Sequence, residues 1–297
     1  MNRPPVPRLS ALVASLTLAL TTLVASRATA ASPIPDENRV NGFAIGLQSY
    51  TFNRFTAFEA IEKTASAGAK VIEFYPGQRL SKEDGDMKVD HNAANVDAVV
   101  EKLKAKLAKH GIRAVNYGVV GVSKVEAEAR KVFDFARKLG LYAITTESAD
   151  AVATLEALAV EYDICVAFHN HPGSLDKPGY KVWNPLYIAG LVEGRDARIG
   201  ACADVGHWTR SGIKPVDALR ILKGRIISAH LKDLTEFGVP SAHDVPFGQG
   251  KCNIGDVLTE LRAQGMKGNL SIEYEYNWDN SLPEVTQCVA FVRDFAK

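Results

Sequence analysis

The stretch Ile199-Gly200-Ala201-Cys202-Ala203-Asp204-Val205-Gly206-His207-Trp208 decides the fold. It is a short apolar strand candidate that ends in a carboxylate and then changes pattern. The same construction recurs on either side. Upstream, Ile164 to Phe168 runs into His169-Asn170-His171-Pro172. Downstream, Ile226 to Ala229 runs into His230-Leu231-Lys232-Asp233, and Asn269 to Ile272 into Glu273-Tyr274-Glu275.

Working outward, the chain alternates strand-like and helix-like stretches eight times. The strand candidates are Phe43–Thr51, Val71–Tyr75, Arg113–Val119, Tyr142–Glu147, Ile164–His169, Ile199–Asp204, Ile226–Lys232 and Asn269–Glu275. Each is short, apolar and rich in β-branched or aromatic residues. Helical stretches of about 10 to 20 residues lie between them. Thr56-Ala57-Phe58-Glu59 opens the first with a capping box. Gly68, Gly111, Gly140, Gly194, Gly224 and Gly268 stand where helices hand over to strands, and a left-handed C-cap is expected at each. Eight βα units in one compositional regime predict an α/β fold, a single (β/α)8 barrel domain. An open doubly wound sheet is the alternative. It lacks support, because no glycine-rich phosphate loop follows the first strand; Gln48-Ser49-Tyr50-Thr51 precedes the helix there.

Residues 1–30 read as a signal peptide. Arg3 and Arg8 give a positive start, Leu9 to Val24 an apolar run, and Ala28-Thr29-Ala30 a small-residue cleavage site. The run falls short of the roughly 20 residues of a spanning helix. The expectation is a barrel over residues 31–297, periplasmic or secreted by the Sec route, and a mature protein beginning at Ala31 tests it. Without Arg3, Arg8 and Arg27, the 35 basic and 34 acidic residues become 32 and 34, a net charge of −2. That balance excludes the basic footprint of a nucleic-acid binder. No later segment is apolar enough for a membrane, and a homo-oligomer is compatible with the composition. Cys165, Cys202, Cys252 and Cys288 are too scattered for a disulfide scaffold or a Cys-x-x-Cys zinc site. Whether Cys165 and Cys202 pair is left open.

Active sites of such barrels lie at the C-terminal strand ends. Five consecutive ends are polar here, the fourth closing with Thr145-Thr146-Glu147. Five of the seven histidines, His169, His171, His207, His230 and His243, fall in this half; His91 and His110 read as solvated helical residues. A lone strand-end histidine is usually structural. Neighbouring ends that each offer His, Asp or Glu, without thiolates, instead suit one divalent ion: Mn²⁺, Zn²⁺, Co²⁺ or Mg²⁺. Strand alternation places His169 with His171, His230 with Lys232, and Glu273 with Glu275. Lys232 and Glu275 can equally form a salt bridge, and Glu147 a first-turn helix charge.

On these residues the chain resembles the xylose isomerase-like sugar phosphate isomerase/epimerase superfamily, which includes ketose 3-epimerases and apurinic-site endonucleases. The motifs are Asp204-x-x-His207, His230-x-Lys232 and Glu273. The resemblance implies a metal held by Asp204, His230 and Glu273, with His169 standing where ketose 3-epimerases carry a glutamate. That departure puts a two-glutamate proton relay in question and makes Glu147 a substitute base or ligand. Implied catalytic residues are Glu147, His207, Lys232 and Glu275. Gln48, Tyr75, His171 and Trp208 are expected at the substrate, a sugar or keto-sugar, and Trp278 offers a further ring face. Tyr75-Pro76-Gly77-Gln78 and Cys202 to Trp208 are similar to a secreted subgroup with relatives in 3-keto-glycoside breakdown. The implied activity is sugar isomerisation or epimerisation through an enediolate. The alternatives are a lyase or hydratase on 3-keto-glycosides and a non-catalytic periplasmic sugar-binding protein. Charge and the leader argue against an endonuclease.

Overall fold

Eight parallel strands close into a barrel in chain order. They are β1 (Ala44–Gln48), β2 (Val71–Phe74), β3 (Arg113–Tyr117), β4 (Ala143–Thr146), β5 (Cys165–His169), β6 (Ile199–Asp204), β7 (Ile226–Leu231) and β8 (Asn269–Ile272). The computed structural model describes residue 1 and residues 34–173 and 178–295. The leader read from residues 1–30 lies, Met1 apart, outside the described residues. Register pairs Ala44 with Asn269 across the closure and Asp204 with His230 between β6 and β7. A short antiparallel hairpin, Gln78–Arg79 with Lys88–Val89, extends the loop after β2.

The helices are α1 (Ala57–Ser66), α2 (Val96–His110), α3 (Glu126–Leu139), α4 (Val152–Tyr162), α5 (Pro185–Val192), α6 (Val205–Arg210), α7 (Pro215–Ile221), α8 (Ile254–Ala263) and α9 (Leu282–Phe295). Thr56 and Glu59 cap α1 reciprocally: Glu59 N–H donates to Thr56 Oγ1 at 3.3 Å and Thr56 N–H to Glu59 Oε2 at 2.9 Å. Gly111 and Gly140 end α2 and α3 in the left-handed region. Gly268 differs from the expectation. Its φ is not positive; a Cβ there would lie 1.7 Å from Ile227 O, so close strand packing is what demands glycine.

Alternation sorts strand residues between one large core and two small inner clusters. Val166 and Phe168 of β5 and Ala201 and Ala203 of β6 join the large core beneath the helices. Cys165, Ala167 and Cys202 pack with Ala143 and Ile227 in a separate small cluster, on the face that leads up to His169 and Asp204. All four cysteines are buried free thiols, which settles the open pairing of Cys165 and Cys202. No described helix is long and apolar enough to cross a membrane.

Candidate metal centre

Asp204 is both the last residue of β6 and the N-cap of α6. Its Oδ1 accepts the His207 N–H at 2.7 Å, so only Oδ2 is left for the barrel mouth. His169 ends β5, His230 lies one residue before the end of β7, and Glu273 follows β8 directly. Four strands thus deliver four side chains to one depth. Gly206 makes room beside them: a Cβ there would meet Lys232 Cβ at 2.5 Å.

One donor atom each from His169, Asp204, His230 and Glu273 lies within 4.8 Å of the others, all in buried residues. His230 Nδ1 is 3.0 Å from Glu273 Oε2 and 3.9 Å from Asp204 Oδ2. His169 Nε2 is 3.5 Å from Asp204 Oδ2 and has no hydrogen-bond partner, although it is buried. An ion bonded at about 2.0–2.2 Å holds adjacent donor atoms about 3.0–3.5 Å apart. The spacing, the orphaned imidazole nitrogen and the two-nitrogen, two-oxygen donor set therefore fit a divalent ion.

Carboxylates back both imidazoles from the far side. His169 Nδ1 meets Glu147 Oε1 at 2.9 Å, and His230 Nε2 meets Glu73 Oε2 at 3.0 Å. His171 shares the same Glu147 oxygen. Against the penalty of burial, hydrogen bonds from His169 and His171 hold the Glu147 carboxyl well below its usual range. Burial likewise opposes charge on His169, but Asp204 and Glu147 lift the ring to about 9 in the ion-free protein.

Lys232 is fully buried, with Nζ 2.8 Å from Asp204 Oδ2, in contact with Glu273 Oε2, and 3.7 Å from Glu275 Oε2. Burial disfavours this ammonium, yet Asp204 and Glu273 keep its pKa well above normal. Outside this tier, Arg210 of α6 reaches Glu275 Oε2 at 3.1 Å, Asp244 Oδ2 at 3.3 Å and His207 Nδ1 at 3.1 Å. Burial, then the cations around it, push the His207 pKa well below its usual value.

Comparison with known proteins bears on this arrangement. Residues 61–294 match the family described as the xylose isomerase-like TIM barrel. The chain belongs to that family. An uncharacterised protein from Parabacteroides distasonis is similar at 29% identity and a TM-score of 0.65, over 85% of this chain and 99% of its own. A D-tagatose 3-epimerase-like protein aligns at 17% identity and TM-score 0.63, over 84% and 96% of the two chains. A sugar phosphate isomerase/epimerase from Parabacteroides distasonis aligns at 15% and 0.60, over 90% and 99%. The last two likenesses concern the fold. No curated protein matches the chain.

In this xylose isomerase-like barrel, a cavity of about 290 Å³ opens above the cluster. Glu273, Glu275 and His171 line it on one side, and Gln48, Tyr50, Tyr75 and Pro76 on the other. Gln48, Tyr75 and His171, three of the four residues expected at a substrate, line this cavity. The Gln48 amide is already engaged: it donates to Gly118 O at 2.8 Å and accepts from Tyr50 N–H at 3.1 Å. Trp208 is a correction. It is 1% exposed, with its indole N–H on Trp183 O at 3.2 Å, because the chain turns helical after Asp204 and swings His207 toward the cluster and Trp208 into the core. Trp278 stands edge-on to Tyr50, 5.9 Å between centroids, and lines a neighbouring cavity. His91 also differs: it lies in a turn before α2, half-buried, with Nδ1 3.1 Å from the Tyr117 hydroxyl. Glu73, Arg210 and Asp244 are neighbours of the site that the strand-end pattern does not reveal.

Proposed function

We propose that this chain is a divalent-metal-dependent enzyme that removes a proton beside a sugar carbonyl, giving isomerisation or epimerisation through an enediolate. The observation that carries it is the convergence of His169 Nε2, Asp204 Oδ2, His230 Nδ1 and Glu273 Oε2 beneath a sugar-sized cavity, with His169 Nε2 buried and without a hydrogen-bond partner. Two imidazoles and two carboxylates suit Mn²⁺, Co²⁺ or Zn²⁺, with Mg²⁺ less favoured by nitrogen ligands. Such an ion supplies Lewis-acid polarisation of the substrate carbonyl.

The protein's own groups do the rest. Glu275 lines the cavity, where its carboxylate is placed to accept a carbon-bound proton. Lys232 and His207 donate to substrate oxygens on which negative charge develops. Tyr50 and Tyr75, edge-to-face at 5.1 Å, wall off the opposite side and offer an apolar surface to a sugar ring. Glu147 is the weaker base because two imidazoles occupy it.

That last observation also favours a second reading. Epimerisation needs a proton donor and acceptor on opposite faces, and Glu275 is on one face only. A lyase or hydratase acting on a 3-keto-glycoside needs a single carbon base plus an acid for the leaving group, a role for the Lys232 ammonium. Incubating metal-loaded protein with keto-sugars and 3-keto-glycosides in D₂O separates the readings. Deuterium incorporation with an isomeric sugar supports the first, and aglycone release the second. No exchange with any substrate while metal is bound would sink both and leave a sugar-binding protein.

A further inference from the structure

Glu73 lies in the middle of β2, fully buried and one tier below the candidate metal centre. Its Oε2 receives three donors from two other strands: His230 Nε2 at 3.0 Å, Ser271 Oγ at 2.8 Å and Asn269 Nδ2 at 3.3 Å. Its Oε1 is buried without a partner. A carboxylate inside a barrel is costly, and a leucine of similar volume would fill the layer without desolvating a charge. The return on that cost is visible at His230. One ring nitrogen points down to Glu73, the other up to Glu273 and Asp204. When Nε2–H is given to Glu73, the lone pair is on Nδ1, the nitrogen that faces the cluster.

We propose that Glu73 is a positioning residue of the metal centre, which fixes the tautomer and plane of His230 so that Nδ1 is the ligand atom and raises its donor strength. The geometry is the reverse of the His169 pair, where Nδ1 is tied to Glu147 and Nε2 faces the cluster. The ion would thus take opposite nitrogens from its two imidazoles, each set by its own carboxylate. The two differ in reach. Glu147 is partly open at the mouth, whereas Glu73 is sealed below the ligands and touches no substrate. Its direct link to the candidate ligands is His230.

The inference rests on the metal reading above, and the test keeps the two apart. Zn²⁺ affinity is measured by chelator competition for wild type, Glu73→Gln and Glu73→Ala, with ¹⁵N shifts of the His230 ring in the loaded protein. Outer partners of this kind carry about 10–100-fold in affinity. Glu73→Gln keeps an acceptor oxygen and loses the charge, so a loss near about 10-fold is expected; Glu73→Ala should approach about 100-fold. The wild-type ring should show a coordinated Nδ1 and a protonated Nε2. Coordination through Nε2, or both variants binding within about twofold of wild type, overturns the proposal, even if they melt earlier. Should the alanine variant fail to fold, the isosteric glutamine carries the test alone. A wild type that takes up none of Zn²⁺, Co²⁺ and Mn²⁺ sinks this inference and the proposed function together. Tight wild-type binding with unaffected variants sinks this one only.

Discussion

Two aspartates at the same barrel mouth, Asp204 and Asp244, are equally sealed from solvent and end in opposite states. Burial raises the pKa of both. At Asp204 the penalty is overcome by His207, Lys232 and His169, and the carboxyl is held well below its ordinary range. At Asp244 burial wins, and the pKa rises to about 8 although Lys232 and Arg210 pull the other way. The geometry explains the difference. Asp204 has an ammonium at 2.8 Å on one oxygen and a backbone N–H at 2.7 Å on the other. Asp244 has one guanidinium at 3.3 Å, shared with Glu275, and its Oδ1 has no partner. Depth alone does not set charge at this site. Close, directed donors do, and they gather where an ion would be held.

Removing Asp204 should therefore have the largest effect. Asp204→Ala deletes a ligand, a helix cap and half of the Lys232 anchorage. Metal affinity should fall by more than the ~100-fold that outer partners command, with a further ~1 kcal/mol lost at the α6 cap. Asp204→Asn keeps a capping oxygen and separates the two contributions. Metal analysis that finds full occupancy in both variants would remove the core of the proposal.

Lys232 sharpens the contrast next. Its ammonium rests on the two carboxylates that an ion would need, so it is a competitor for them. Lys232→Met should destabilise the metal-free protein by about 3–5 kcal/mol, the usual consequence of leaving buried carboxylates unpaired. The loaded variant should melt close to wild type, and metal affinity should rise by about 10-fold or more, since no ammonium has to be displaced. A fall in affinity would mean that the lysine supports the loaded centre instead.

The sequence makes some of this visible and hides the rest for physical reasons. Buried parallel strands are apolar runs, so all eight are found by pattern, and β6 falls on Ile199–Asp204 as expected. Overruns come at the ends: Phe43–Thr51 shortens to Ala44–Gln48 because Ser49 to Phe52 coil into a 3₁₀ turn. The stacked pairs His169 with His171 and Glu273 with Glu275 follow from strand parity, which persists just past the strand ends. Parity fails at Trp208 because a helix has begun there. Glu73 sits at the third position of Val71-Ile72-Glu73-Phe74, where parity with Val71 directs it inward; strand-end reasoning does not reach it because it is mid-strand. Arg210 and Asp244 leave no local trace. They meet across 34 residues, and Arg210 meets Glu275 across 65, so the outer tier exists only once the barrel closes.

The smallest expected effect isolates Asp244. Its folded pKa of about 8 lies above the ordinary value of 3.8, so the folded state holds a proton that the unfolded chain releases earlier. A carboxyl raised in this sense contributes stability in full below about pH 4, and the contribution is lost as pH rises through about 8. Wild type should therefore lose stability across that window, by an amount on the order of a few kcal/mol at most. Asp244→Asn imitates the protonated form and cannot ionise, while Glu275 remains to pair with Arg210. Its melting temperature, measured metal-free, should thus fall less than that of wild type between pH 5 and pH 9, the difference amounting to several degrees at roughly 2–4 °C per kcal/mol. Equal pH slopes for the two proteins would show that Asp244 is ionised throughout, with Arg210 a full partner to it. The contrast with Asp204 would then reduce to which cation is nearer.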